Sequence, residues 1–131
     1  MPFLEVRLPL PPSVNKLYFV KGGRKILSSD GRALKEQMRA IVSKAVALNA
    51  TSVENRKLRV SLTFFFPLVE NKGWSQGKSK SRYKKVDVSN RIKLVEDALF
   101  SAIGVDDSQV FELLVRKEQG EEGVHCVLEV L

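Results

Sequence analysis

At 131 residues, 44% of them hydrophobic, the chain is long enough for one cooperative core and short for two independent ones. Lys and Arg total 22 against 15 Asp and Glu, and the formal net charge of +7 favours polyanionic partners. No apolar run reaches 18 residues, and Met1-Pro2-Phe3-Leu4-Glu5 is not a basic segment leading into an apolar one, so the expectation is no membrane span, no secretion and a cytoplasmic location.

In chain order, Val6-Arg7-Leu8 predicts a short strand, stopped by Pro9, Pro11 and Pro12, which fix the path into Ser13-Val14-Asn15. Asn15 either stabilises that turn or faces a ligand. Leu17-Tyr18-Phe19-Val20 and Lys25-Ile26-Leu27 flank Gly22-Gly23, a pair suited to a tight hairpin. Ser28 or Ser29 can cap a helix that begins near Asp30. Its apolar stripe is Leu34, Met38, Ile41, Val42, Ala45 and Leu48, while Lys35, Glu36, Arg39 and Lys44 face water. Asn49-Ala50-Thr51-Ser52 ends that pattern. Val60, Leu62, Phe64 and Phe66 then alternate as the apolar face of a strand terminated by Pro67.

From Pro67 to Val86 the composition turns polar and cationic, with no apolar period to offset the entropy of a fixed conformation. The expectation is one domain over residues 1–131 with a flexible basic loop at about 70–85. Lys78, Lys80, Arg82, Lys84 and Lys85 are candidate DNA-binding residues, since clustered cations attract phosphate without reading sequence; the plainer reading is a soluble connection. Trp74 and Tyr83 either stack on bases or anchor the loop to its own protein.

A second helix is predicted from Val88 or Ser89 to about Gly104, with Asp87 at its entrance and Ile92, Val95 and Leu99 as its apolar stripe, widened by Leu94, Ala98 and Ile103. Ser89, Lys93 and Glu96 lie at offsets of zero, four and seven, and Lys93 and Asp97 are four apart, so a polar strip can run beside the buried one. Asp106 and Asp107 follow the helix. Grouped carboxylates can hold a divalent cation such as Mg²⁺ through hard oxygen ligands, and a nearby lysine can stabilise charge developing on a phosphate. The alternative is a capped, charged surface helix followed by an Asp-Asp-Ser turn. Phe111, Leu113 and Val115, then Val124, Cys126, Leu128 and Val130, alternate as two strands expected to form an antiparallel hairpin through 117–123. Cys126 has no intrachain disulfide partner and reads as structural, and His125 has no second histidine or Cys-x-x-Cys to make a zinc site.

Three segments carry a resemblance: Leu8-Pro9-Leu10-Pro11-Pro12-Ser13-Val14-Asn15, then Asp87-Val88-Ser89-Asn90-Arg91-Ile92-Lys93 through Asp97-Ala98-Leu99, then Asp106-Asp107-Ser108-Gln109-Val110. Together they resemble the RusA family of Holliday-junction resolvases, endonucleases that cut four-way DNA junctions as homodimers with Mg²⁺. The resemblance implies an α+β domain with a mixed, mostly antiparallel sheet and two principal helices. It implies catalytic roles for Asp87, Lys93 and Asp107, metal ligation by Asp87 and Asp107 with Asp106 as acidic neighbour, and Mn²⁺ as a substitute for Mg²⁺. Where the family often has a second aspartate this chain has Ser89. Glu96, two helical turns away on the same face, is the candidate to compensate. Ser89, Asn90, Asp97 and Asn15 would support the site. Two further readings stay open: a non-catalytic binding module for branched DNA with a weakened metal site, and a protein-interaction domain.

Overall fold

The computed structural model describes residues 2–12, 17–47, 53–86 and 88–131. The elements are strands β1 (Pro2–Leu8), β2 (Tyr18–Lys21) and β3 (Arg24–Leu27), helix α1 (Ser29–Ala47), strand β4 (Leu58–Phe66), helix α2 (Ser89–Ile103), and strands β5 (Val110–Gln119) and β6 (Gly123–Val130). Short 3-10 turns occupy Trp74–Gln76 and Asp107–Gln109. The arrangement is α+β: a mixed four-stranded sheet in the order β1-β6-β4-β5, a separate β2-β3 hairpin, and two helices packed on each other. Among the described residues no helix is long and apolar enough to cross a membrane.

Local chemistry accounts for most of the elements. Gly22 and Gly23 have φ of 59° and 76°, the doubly left-handed conformation that a two-residue hairpin needs and that glycine adopts without steric cost. The Ser28 hydroxyl accepts the Gly31 N–H at 3.1 Å and so caps α1. In β4, Leu58, Val60, Leu62, Phe64 and Phe66 are all buried while the residues between them are partly exposed. Against this face pack Met38 and Val42 of α1 and Leu94, Val95, Ala98 and Leu99 of α2. Ile92 and Ile103 are only partly buried, whereas Phe100, outside the expected stripe, is buried.

The last two strands do not form the expected hairpin. β5 runs parallel to β4, and β6 pairs antiparallel with β4 and β1, so β4 lies between them. Hydrophobic burial decides the order. Val124, Cys126 and Leu128 of β6 are completely buried at the sheet centre, whereas β5, with Glu112, Arg116, Lys117 and Glu118, takes the edge. Residues 120–122 cross over the end of β4, where the Gly120 N–H donates to the Phe66 carbonyl at 2.9 Å. A Cβ on Gly120 would lie 2.9 Å from the Phe65 ring, so the crossing needs glycine.

Burial pushes the Cys126 thiol up to about 12, which suits a packing residue and removes it as a nucleophile at neutral pH. His125 lies on the opposite face, 2.8 Å from Glu5. Helix α2 stops at Gly104, whose φ of 70° is left-handed and whose N–H donates to the Phe100 carbonyl. Nothing lies within 4 Å of a Cβ built there, so Gly104→Ala tests the backbone alone. It should lower stability by about 1 kcal/mol in urea titrations with an unchanged denaturant slope.

Candidate active site

An open cleft of about 1070 Å³ runs along α2. Ser89, Lys93, Glu96 and Asp97 line it from α2, Asp106 and Asp107 from the following turn, and Lys35 from α1, over an apolar wall that includes Ile92, Phe100 and Leu113. The structure thus brings together six of the residues singled out in the sequence. Asp87 and Asn15 lie outside the described residues, as does the side chain of Asn90. Ser89 and Glu96 are about 10 Å apart along the helix axis. The cleft therefore has a serine and lysine end at the start of α2 and a carboxylate end beside the turn.

The carboxylates repel one another. The half-buried Glu96 is held above the ordinary glutamate range, first by burial and then by the charges of Asp97 and Asp107. Asp107 is raised by its hydrogen bond with Asp106 and by that neighbour's charge, while Asp106 is lowered, chiefly by the Ser108 N–H and then by Asp107. Tyr18, from β2, is raised by burial and by Asp97, which keeps the phenol neutral beside the acidic group.

The turn that presents these carboxylates is built by a capping box. The Asp106 carboxylate accepts the Ser108 N–H at 3.0 Å, and the Gln109 side-chain oxygen accepts the Asp106 N–H at 3.2 Å. The Gln109 amide then donates to the carbonyls of Val53 (2.9 Å) and Arg56 (3.1 Å), which ties the turn to the approach to β4. At the other end of α2, Arg91 Nε donates to the Pro11 carbonyl at 2.9 Å, and its guanidinium sits 5.2 Å from the Phe66 ring centroid. This contact joins the proline-rich first segment to the second. Arg91 and Gln109 are the site-building residues that sequence reasoning passed over. The D-x-x-Q spacing of Asp106 and Gln109 was the available signal for the second, and for Arg91 there was none.

The cationic segment closes on itself at its neck. The Asn71 N–H donates to the Arg82 carbonyl at 2.8 Å, the Lys84 N–H to the Val69 carbonyl at 2.9 Å, and the Asn71 amide to Ser81 and Tyr83 carbonyls. Arg82 pairs with Glu70 at 3.2 Å and lies over the Tyr83 ring. Lys78 and Lys80 are exposed farther out, and Lys84 and Lys85 sit at the base with Lys117 of β5, around a hollow floored by Val86 and Val88. Trp74 and Tyr83 are both exposed.

The raised Glu96 sets a pH dependence whose sign follows directly. Folding raises its affinity for a proton, so the ionised form costs stability above the folded-state pKa, and the cost is absent below the unfolded-state value near about 4.3. In chelator, Glu96→Gln should therefore raise the melting temperature at neutral pH, and the gain should vanish as pH falls to about 4. Calorimetry that shows an equal effect at both pH values would contradict this account of the cleft.

No curated protein matches this chain. A match to the family described as "Endodeoxyribonuclease RusA" extends over residues 9–130, which takes in the second and third motif segments and the first from Pro9 onward. The chain belongs to the RusA endodeoxyribonuclease family.

Proposed function

We propose that the protein is a Mg²⁺-dependent, structure-selective endodeoxyribonuclease that resolves four-way (Holliday) junctions by hydrolysing phosphodiester bonds, with Mn²⁺ able to substitute. The observation that carries this reading is the convergence of Lys93, Glu96, Asp97, Asp106 and Asp107 in one open cleft of a chain that belongs to an endodeoxyribonuclease family. Among the described residues no group of three or more carboxylates is placed to hold a metal ion, so the proposed set depends on Asp87, which lies outside them. What supports a hard divalent cation is the chemistry of the donors, since the mutual repulsion that raises Glu96 and Asp107 is what such an ion would relieve. Asp87, Glu96 and Asp107 would hold it, with Asp106 and water completing the sphere. Bound there, the ion would supply Lewis acidity at phosphate and an activated water.

The chain's own groups do the rest. As the water oxygen bonds to phosphorus and the bond to the leaving sugar oxygen breaks, the Lys93 ammonium stabilises the negative charge that develops on the phosphate or the leaving oxygen. Ser89 can position water but brings no charge. Asp97 and Asn90 serve orientation by hydrogen bonding, and Asn15 supports the site from the first segment. Lys78, Lys80, Arg82, Lys84 and Lys85 hold the arms of the junction through phosphate contacts. The uncharged Ser89 favours one alternative, a branched-DNA binding module without catalysis.

Single-turnover assays with a four-way junction, matched duplex and single-stranded DNA separate the two. The endonuclease reading expects junction-selective nicking with Mg²⁺ that EDTA abolishes. Asp87→Asn and Lys93→Ala should each slow it by about two to three orders of magnitude while the fold persists. Salt-sensitive junction binding without any cleavage would leave only the binding module.

The same reading includes a homodimer, because coordinated resolution needs two cuts. Its support is β5, an edge strand of ten residues with Phe111, Leu113 and Leu114 exposed. Antiparallel pairing of β5 with its own copy about Leu114 places Leu113 opposite Val115 and Glu112 opposite Arg116, each twice, so one register satisfies both apolar and charge complementarity. Since Leu113 also lines the cleft, this pairing sets each site against the partner. Leu114→Lys should convert the dimer to a folded monomer in sedimentation experiments, and a monomeric wild type would refute the arrangement.

A further inference from the structure

Beside the acidic cleft lies a second groove of about 500 Å³, walled by Arg32, Lys35 and Arg39 of α1, with Ile26 and Leu27 of β3 as its apolar floor and Ser101 of α2 on its far side. Lys35 lines both spaces and so stands where the two adjoin. The three cations fall at offsets of zero, three and seven, which puts them on one face of the helix. One acidic residue, Glu36, shares the groove, and it is engaged with Arg39 at 3.7 Å. Among the described residues Lys35 forms no ion pair, although it is only partly exposed.

From these observations we infer that the α1 groove is a phosphate-backbone subsite that leads one DNA strand into the cleft, with Lys35 as the positioning residue at the junction of the two. The inference rests on the endonuclease reading and names a binding surface that the basic loop does not provide. Charge separates the two compartments. The cleft carries Glu96, Asp97, Asp106 and Asp107 against Lys35 and Lys93, so it attracts phosphate poorly without a cation. The groove carries three cations against one paired carboxylate and attracts phosphate on its own. From Arg32 to Arg39 the helix rises about 10 Å, roughly three nucleotide steps of a strand at 3.4 Å each. The aliphatic stems of the three residues and the Ile26-Leu27 floor can pack against sugars while the charged ends reach phosphates.

The position of Lys35 decides its role. A strand held by Arg32 and Arg39 passes Lys35 before it reaches the carboxylates, so this side chain fixes which phosphate enters the cleft. It acts through the path of the strand and does not touch the reacting atoms.

The test measures affinity of the full-length protein for a fluorescently labelled four-way junction in EDTA, from 50 to 200 mM NaCl, so that binding is read without metal or cleavage. Arg32→Gln/Arg39→Gln should weaken binding and lower the slope of log affinity against log salt by about two, and adding Lys35→Gln should bring the loss to about three. Arg32→Lys/Arg39→Lys should restore most of the slope, which a purely structural role for the arginines would not do. Lys35→Gln alone should also displace or spread the positions of Mg²⁺-supported cuts. An unchanged slope in the glutamine variants, with a wild type that binds and cuts normally, overturns the groove while the endonuclease reading stands. A wild type that neither binds nor nicks branched DNA removes that reading and this subsite with it.

Discussion

Strand β4 is the constraint on which the rest of the molecule depends. Its alternating side chains leave one fully apolar face, which must be covered by helices, and its backbone is paired along both edges. One partner, β5, is parallel, and a parallel neighbour can be reached only by a long crossover. That crossover contains the cationic segment, α2 and the Asp106–Gln109 turn. The candidate site residues of α2 and the turn are therefore carried by a connection whose two ends the sheet clamps, at Phe66 and at Val110.

Each clamp has a polar supplement. At the Phe66 end, Arg91 bonds the Pro11 carbonyl while it covers the ring. At the Val110 end, Gln109 bonds two carbonyls ahead of β4. Helix α2 is thus tied at its start to the segment after β1 and to Phe66 of β4, and the turn that follows it is tied to the segment ahead of β4. Carboxylates that repel one another need such a frame: without it the turn that bears Asp106 and Asp107 would move away from Glu96 and relax the repulsion at once.

Much of this was legible in the sequence because it is written locally. The Gly22-Gly23 turn, the Ser28 cap, the alternation from Leu58 to Phe66 and the stop at Gly104 each depend on a few adjacent residues. The grouping of Lys93, Glu96 and Asp97 follows from helical spacing alone. The order of β5 and β6 was not legible, since alternation says that a strand has an inner face but not which strand lies beside it. The higher charge of β5 was the clue, and a short connection between the two strands outweighed it. Lys35 was assigned to water because its own helix offers no reason to place it elsewhere; only the packing of α1 on α2 brings it to the cleft. Arg91 escaped notice for a similar reason, as its partner is a backbone carbonyl 80 positions away.

The strand order bears on how the molecule is made. β6 follows every other described strand, yet it lies between β1 and β4 and hydrogen-bonds to both. Until it emerges from the ribosome, β1 has no partner in this sheet, and the apolar row of β4 lacks its central neighbours Val124, Cys126 and Leu128. The nascent chain must keep two strand edges apart and unoccupied, then admit the last strand between them. Long-range pairing of this kind is slow and exposes sticky edges while it waits. The vulnerable interval is therefore the one before β6 is made, when the other strands of the sheet exist and its middle is still open.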